Sequence, residues 1–127
     1  MIHRLPDGTR VRLRFIGPAD RGLLAAGLQR LSPPSRRQRF LVPKSHLSHA
    51  ELAYLTDVDG QDHVAIVAVF ENDPSRLAAV ARFVRHRERR DEAEVAITVC
   101  DALQGQGLGR TIGGALADVA KGRGVKR

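Results

Sequence analysis

Residues 9–15 alternate strictly. Val11, Leu13 and Phe15 fall on one side, Arg10, Arg12 and Arg14 on the other. A period of two with one polar face predicts a half-buried strand. Pro6-Asp7-Gly8 ahead of it has turn chemistry. From Pro18-Ala19 the period lengthens, and Leu23, Leu24, Leu28 and Leu31 recur at helical spacing. Ser32-Pro33-Pro34-Ser35 should stop that helix, because proline removes a backbone donor and clashes with the preceding turn. Residues 36–44 are basic and mixed, and predict a short helix or loop around Phe40 and Leu41. Ser48-His49-Ala50-Glu51 has capping-box spacing, which predicts a second helix through Leu55. A loop follows over residues 57–62.

The second half is richer in strand pattern. Residues 64–70 form a continuous apolar run of strand length, residues 77–84 read as the next strand, and Asn72-Asp73-Pro74-Ser75 between them reads as a turn. The pair should form an antiparallel hairpin. A charged turn over residues 88–92 leads to a strand at residues 94–99, and a helix is expected over residues 108–121, before Gly122 and Gly124. Val125-Lys126-Arg127 resembles the first step of another strand. The order is strand, two helices, three strands, helix. That order predicts an α+β (α/β-like) domain with a mixed, mostly antiparallel sheet flanked by helices.

A length of 127 residues fits one domain. Apolar residues make up 43% and aromatics 4%, with no Trp, so the core must be aliphatic. No apolar run is long enough to span a membrane, and no signal-peptide stretch is visible. The single cysteine, Cys100, has no internal disulfide partner and suits a reducing cytoplasm. No Cys/His grouping has metal-site spacing. The net charge of +7 favours anionic partners: nucleic acid, acidic protein surfaces or a phosphorylated cofactor. The basic stretches are not interleaved with aromatics that would stack bases, so charge alone does not assign nucleic-acid binding.

One stretch narrows the choice. Gln104-Gly105-Gln106-Gly107-Leu108-Gly109 follows the strand Val95-Ala96-Ile97-Thr98-Val99 and opens the last helix. Glycines let successive N–H groups turn toward one anion. The helix behind them adds unpaired amides and the positive end of its dipole. The nucleotide P-loop pattern fails, since no Lys-Ser or Lys-Thr pair follows. The dinucleotide fingerprint G-x-G-x-x-G fails too, because its sixth position falls on Arg110 or Ile112. The spacing that fits is Q-x-x-G-x-G, formed by Gln104, Gly107 and Gly109.

That spacing resembles the acetyl-CoA pyrophosphate loop of the GCN5-related N-acetyltransferases, the GNAT family. The element order is similar to the N-terminal and central part of the GNAT fold, so residues 1–127 read as a single GNAT-like domain. Asp7-Gly8-Thr9 with Val11-Arg12-Leu13-Arg14, Leu31-Ser32-Pro33-Pro34-Ser35-Arg36, Arg39-Phe40 and Tyr54-Leu55-Thr56-Asp57-Val58-Asp59 resemble the GNAT domains of bacterial protein lysine acetyltransferases. In that group the domain often sits beside an acyl-CoA synthetase-like or nucleotide-sensing domain. The family normally continues with a further strand, a helix and closing strands. The chain is therefore expected to be C-terminally incomplete, cut before the last strands. One wall of the acetyl-CoA cleft would be missing, and with it the last helix, which often supplies a tyrosine acid. A bare strand edge of that kind invites pairing between chains.

The resemblance implies acetyl-CoA as donor, no metal, and an amine acceptor, either a protein lysine or a small molecule. Neither nucleic acid nor membrane is an expected partner; a homo-oligomer or a regulatory fusion is. Gln104, Gly105, Gln106, Gly107, Leu108 and Gly109 form the expected phosphate group. A Cβ at Gly107 or Gly109 should clash with phosphate or strain the turn. Arg110 either adds a side-chain contact or is a solvated helix arginine. Ile97 and Val99 should align the pantetheine arm through backbone groups, with an amide near Val99 polarising the thioester. Glu94 is the expected general base, and the competing reading pairs it with Arg85, Arg87, Arg89 or Arg90. Glu92 and then Asp91 stand behind it. Cys100 reads as an unreactive turn residue, since no histidine lies close in sequence to activate it. His63 opens a strand that could face the acceptor.

Overall fold

The computed structural model describes residues 2–29 and 49–125. The expectations for Leu31, residues 32–35 and 36–44, and the Ser48 cap lie outside these. Five strands form one sheet in chain order: β1 (Ile2–Arg4), β2 (Arg10–Phe15), β3 (His63–Phe70), β4 (Asp73–Arg85) and β5 (Ala93–Val99). Every pairing among them is antiparallel. A 3₁₀ turn at Pro18–Asp20 leads into α1 (Arg21–Gln29). Helix α2 (His49–Thr56) precedes β3, and α3 (Leu108–Gly122) follows β5.

The alternation in β2 produces the expected split, with Val11 and Leu13 buried and the three arginines exposed. Phe15 departs from it: the side chain is 56% exposed, and the next residue, Ile16, enters the core instead. Strand β3 is buried on both faces, as its continuous apolar run requires. Val64, Ile66 and Ala68 point to one face, where Leu108, Ile112 and Leu116 of α3 meet them at helical spacing. Ala65 and Val67 point to the other face, with Ile16 and Val80. On that side α1 comes close to β4, and Gly27 lies where a Cβ would fall 2.7 Å from Leu77.

The stretch 72–75 is not the turn its composition suggests. The connection is Glu71-Asn72 alone, and β4 already begins at Asp73, opposite Phe70. Leu77 lies opposite Val69, so residues 74–76 bulge out of the ladder. A bulge is where a sheet tolerates proline, because no N–H is needed there. Asp73 accepts from the Ser75 N–H at 3.3 Å, and this local bond is the turn chemistry that the sequence displays.

Ile112 is fully buried at the centre of the α3 interface. Ile112→Val removes one methyl group and should cost about 0.5–1.5 kcal/mol of stability. Denaturant unfolding measures this as a lower midpoint at unchanged slope.

Candidate active site at the end of strand β5

Strand β5 is paired on one side only among the described residues. Cys100 donates to the Ala78 carbonyl at 2.8 Å, and His86 donates to Glu92 at 2.8 Å. In an antiparallel ladder the bonded positions alternate, so the even-numbered residues of β5 point their backbone groups at β4. The N–H and C=O groups of Val95, Ile97 and Val99 therefore face the outer edge. The Val99 carbonyl is taken by Gln104 Nε2 at 3.1 Å. That bond ties the following loop to the strand end.

The loop is anchored in the core at two points, by Leu103 and Leu108, both almost fully buried. Between them Gly105 and Gly107 adopt left-handed backbone, with φ of 85° and 82°. Gly107 is the N-cap of α3, and the first helical bond runs from the Thr111 N–H to the Gly107 carbonyl at 3.0 Å. Among the described residues no protein acceptor takes the N–H of Gly105, Gln106, Gly107, Leu108, Gly109 or Arg110. Helix geometry leaves the first amides of α3 unpaired, and the two turns before it extend the series. The Arg110 side chain is solvent-exposed.

Gly109 has a different role from Gly107. It lies inside α3 with no positive φ, and a Cβ there would sit 3.5 Å from Val99 Cγ2, an ordinary contact. It faces the strand, and of the two glycines only Gly107 holds the left-handed backbone that a side chain would strain. One helical turn on, a Cβ at Gly113 would lie 3.0 Å from Ile97 Cδ1. The two glycines let α3 lie close along β5. Beyond them an open apolar groove of about 250 Å³ runs between β5 and α3, lined by Phe83, Ala93, Val95, Gly113, Leu116 and Ala120.

Glu94 is exposed, near the start of β5, and lies opposite Val84. It shares a sheet face with Ala96 and Thr98, opposite to the face that carries Ile97 and Val99. Among the described residues no cation pairs with it. Arg85 and Arg90 go to Asp62, at 3.1 and 2.5 Å, and Arg89 goes to Glu92 at 2.8 Å. Among the described residues Glu94 thus makes no ion pair with Arg85, Arg87, Arg89 or Arg90, whereas Glu92 is paired with Arg89.

Beside His63, which the sequence singled out, the structure brings Arg82 and Tyr54 together near the Glu94 face, and Thr98 shares that face. Arg82, opposite Ala96, is buried; its Nη1 donates to the Leu55 carbonyl at 3.0 Å and lies 2.7 Å from His63 Nε2. A guanidinium only donates, so that ring nitrogen accepts. The Tyr54 ring stands 5.0 Å from the His63 ring and is itself 59% exposed. The Thr98 hydroxyl is buried without a hydrogen-bond partner among the described residues. A lone arginine in the apolar run of β4 was the available signal. Burial pushes the Cys100 thiol above its ordinary value, in keeping with an unreactive residue. No group of three metal-ligating side chains occurs among the described residues.

No family model matches the chain. An acetyltransferase of Pseudomonas aeruginosa is 34% identical over 127 residues, which is 99% of this chain and 68% of that protein. The acetyltransferase Pat of Mycolicibacterium smegmatis is 42% identical over 115 residues, 91% of this chain but 34% of that protein. The crystal structure of the GNAT domain of PAT from S. lividans superposes with a TM-score of 0.89 at 30% identity, covering 99% of this chain and 74% of that one. The chain belongs to the GNAT family. This GNAT protein is an N-acetyltransferase, and acetyl-CoA is the donor in the family. No described helix is long and apolar enough to cross a membrane.

Proposed function

We propose that this GNAT enzyme transfers acetyl from acetyl-CoA directly to a protein lysine side chain, with Glu94 as general base. One observation carries the cofactor half of this reading. Six consecutive amides, from Gly105 to Arg110, have no protein acceptor among the described residues, and they lie directly beyond a strand whose outer edge is unpaired. A diphosphate satisfies such amides, and the helix dipole favours its charge. Gln104 and Gln106 shape the loop, and Arg110 adds a cation beside it. The outward backbone groups of Ile97 and of the Val99 N–H suit a pantetheine arm running as a further strand. The Val99 N–H is the donor nearest the loop for a thioester carbonyl.

The acceptor amine must lose a proton before its nitrogen attacks the thioester carbon. The C–N bond then forms, the C–S bond breaks, and coenzyme A leaves as a thiolate that takes up the proton the attacking nitrogen sheds. A carboxylate with no cationic partner among the described residues, near the start of β5 and on the face opposite the α3 interface, suits the role of proton acceptor. Protein lysine is favoured as acceptor by the resemblance of residues 7–14 and 54–59 to the GNAT domains of bacterial protein lysine acetyltransferases. The lone cysteine, half-buried, supports a reducing cytoplasm.

Calorimetric titration with acetyl-CoA, followed by mass spectrometry of lysine peptides incubated with enzyme and donor, tests the proposal. Saturable binding and mass gain on lysine are expected. Binding without turnover on any amine would leave a CoA-sensing module, and no binding would remove both readings.

A further inference from the structure

The turn between β1 and β2 reaches across the molecule to the glycine loop. The Asp7 N–H donates to Gln106 Oε1 at 3.2 Å, and Gln106 Nε2 donates back to Asp7 Oδ2 at 3.0 Å. The other carboxylate oxygen, Oδ1, accepts from the Thr9 N–H at 2.8 Å. The hydrogen bonds from Thr9 and then Gln106 hold the Asp7 carboxyl below the usual carboxylate range. On the same hairpin, His3 Nε2 stands 3.4 Å from Thr111 Oγ1, and Thr111 Oγ1 donates to the Gly107 carbonyl at 3.1 Å. Leu5, between these two ties, is buried in the α3 core. The N-terminal hairpin therefore grips the loop at Gln106 and the first turn of α3 through Thr111.

We infer that Asp7 is a positioning residue for donor binding: its paired hydrogen bonds to Gln106 fix the glycine loop in the conformation that aims its amides at the diphosphate. This rests on the diphosphate reading of residues 105–110. Two left-handed glycines flank Gln106, so the loop has little intrinsic stiffness at that residue. A contact that pins the side chain between them restricts the loop without occupying any of its amides. Asp7 touches neither donor nor acceptor, and its effect falls on affinity.

The pairing has a polarity that makes it testable. Both carboxylate oxygens of Asp7 accept, one from Thr9 and one from Gln106. Asp7→Asn leaves a single accepting oxygen, and if it serves Thr9 the introduced amide nitrogen meets Gln106 Nε2, donor against donor. Gln106→Glu sets acceptor against acceptor. The two substitutions together restore the pattern, since the introduced amide donates to the introduced carboxylate, which still accepts from the residue 7 N–H. The net charge is that of the native protein.

The experiment is calorimetric titration of the full chain and its variants with acetyl-CoA, and with acetylated pantetheine lacking the diphosphate. Asp7→Asn and Gln106→Glu should each weaken acetyl-CoA binding about 3- to 10-fold, as expected for one lost hydrogen bond. The double variant should return to within about twofold of the native affinity. Binding of the pantetheine fragment should be the same in all four proteins. Single variants that bind like the native chain, or deficits that multiply in the double variant, would overturn the inference. Gly107→Val in the same series separates the two levels. If it weakens acetyl-CoA while Asp7→Asn does not, only the hairpin's role falls. If none of the variants, Gly107→Val included, changes affinity, the diphosphate reading falls with it.

Discussion

Glu94→Gln should lower acetyl transfer by about 10²- to 10⁴-fold, the usual contribution of a general base, while acetyl-CoA affinity stays within about twofold of native. A lysine amine has an ordinary pKa of about 10.4, so at neutral pH only a minute fraction carries the lone pair that attacks. Glutamine keeps the shape of the side chain and removes its capacity to take a proton. The deficit should therefore narrow as pH rises toward the amine pKa, where the acceptor deprotonates unaided. A loss independent of pH would mark Glu94 as structural. Glu92→Gln and Asp91→Asn are the controls. Glu92 is held by Arg89 and Asp91 is exposed in the turn before β5, so neither should approach the Glu94 effect. If Glu92→Gln carried the loss instead, the role of base would pass to it.

The second large effect is expected at Gly107. Its φ of 82° is open to glycine and disfavoured for a β-branched side chain. Gly107→Val should cost about 1–3 kcal/mol in backbone strain or force the loop into another shape. Either outcome misdirects the amides that follow, and acetyl-CoA affinity should fall about 10- to 100-fold. Gly107→Asn separates strain from contact, because asparagine visits the left-handed region more readily. It should retain thermal stability and much of the affinity. Gly109→Ala should be mild in both measurements, since its Cβ would make an ordinary contact with Val99. Equal losses at 107 and 109 would contradict the distinction drawn between them.

How legible the molecule is from its sequence depends on the range of the signal. Strands β2, β3 and β5 and helix α3 declare themselves because each carries its own period or apolar run. The glycine loop is legible for the same reason, as its spacing is complete within six residues. Strand β1 is three residues long and too short to show a period. The start of β4 was hidden by Asp73-Pro74-Ser75, whose turn chemistry serves a bulge. Phe15 and Ile16 traded places because the strand ends there and alternation no longer governs burial. His63 was legible as the residue that opens β3, but its approach to Arg82 was not, because the two lie on different strands and meet only across the sheet. Asp7 and Gln106 lie 99 residues apart, and no local pattern at either position names the other.

The sheet order matches the chain order, so each strand can zip onto the one before it. The grip of the first hairpin on Gln106 has no such local route. It closes a loop spanning most of the polypeptide, the kind of contact that is entropically costly and forms late. Donor capture should therefore be the last property to emerge during refolding, lagging behind the recovery of secondary structure.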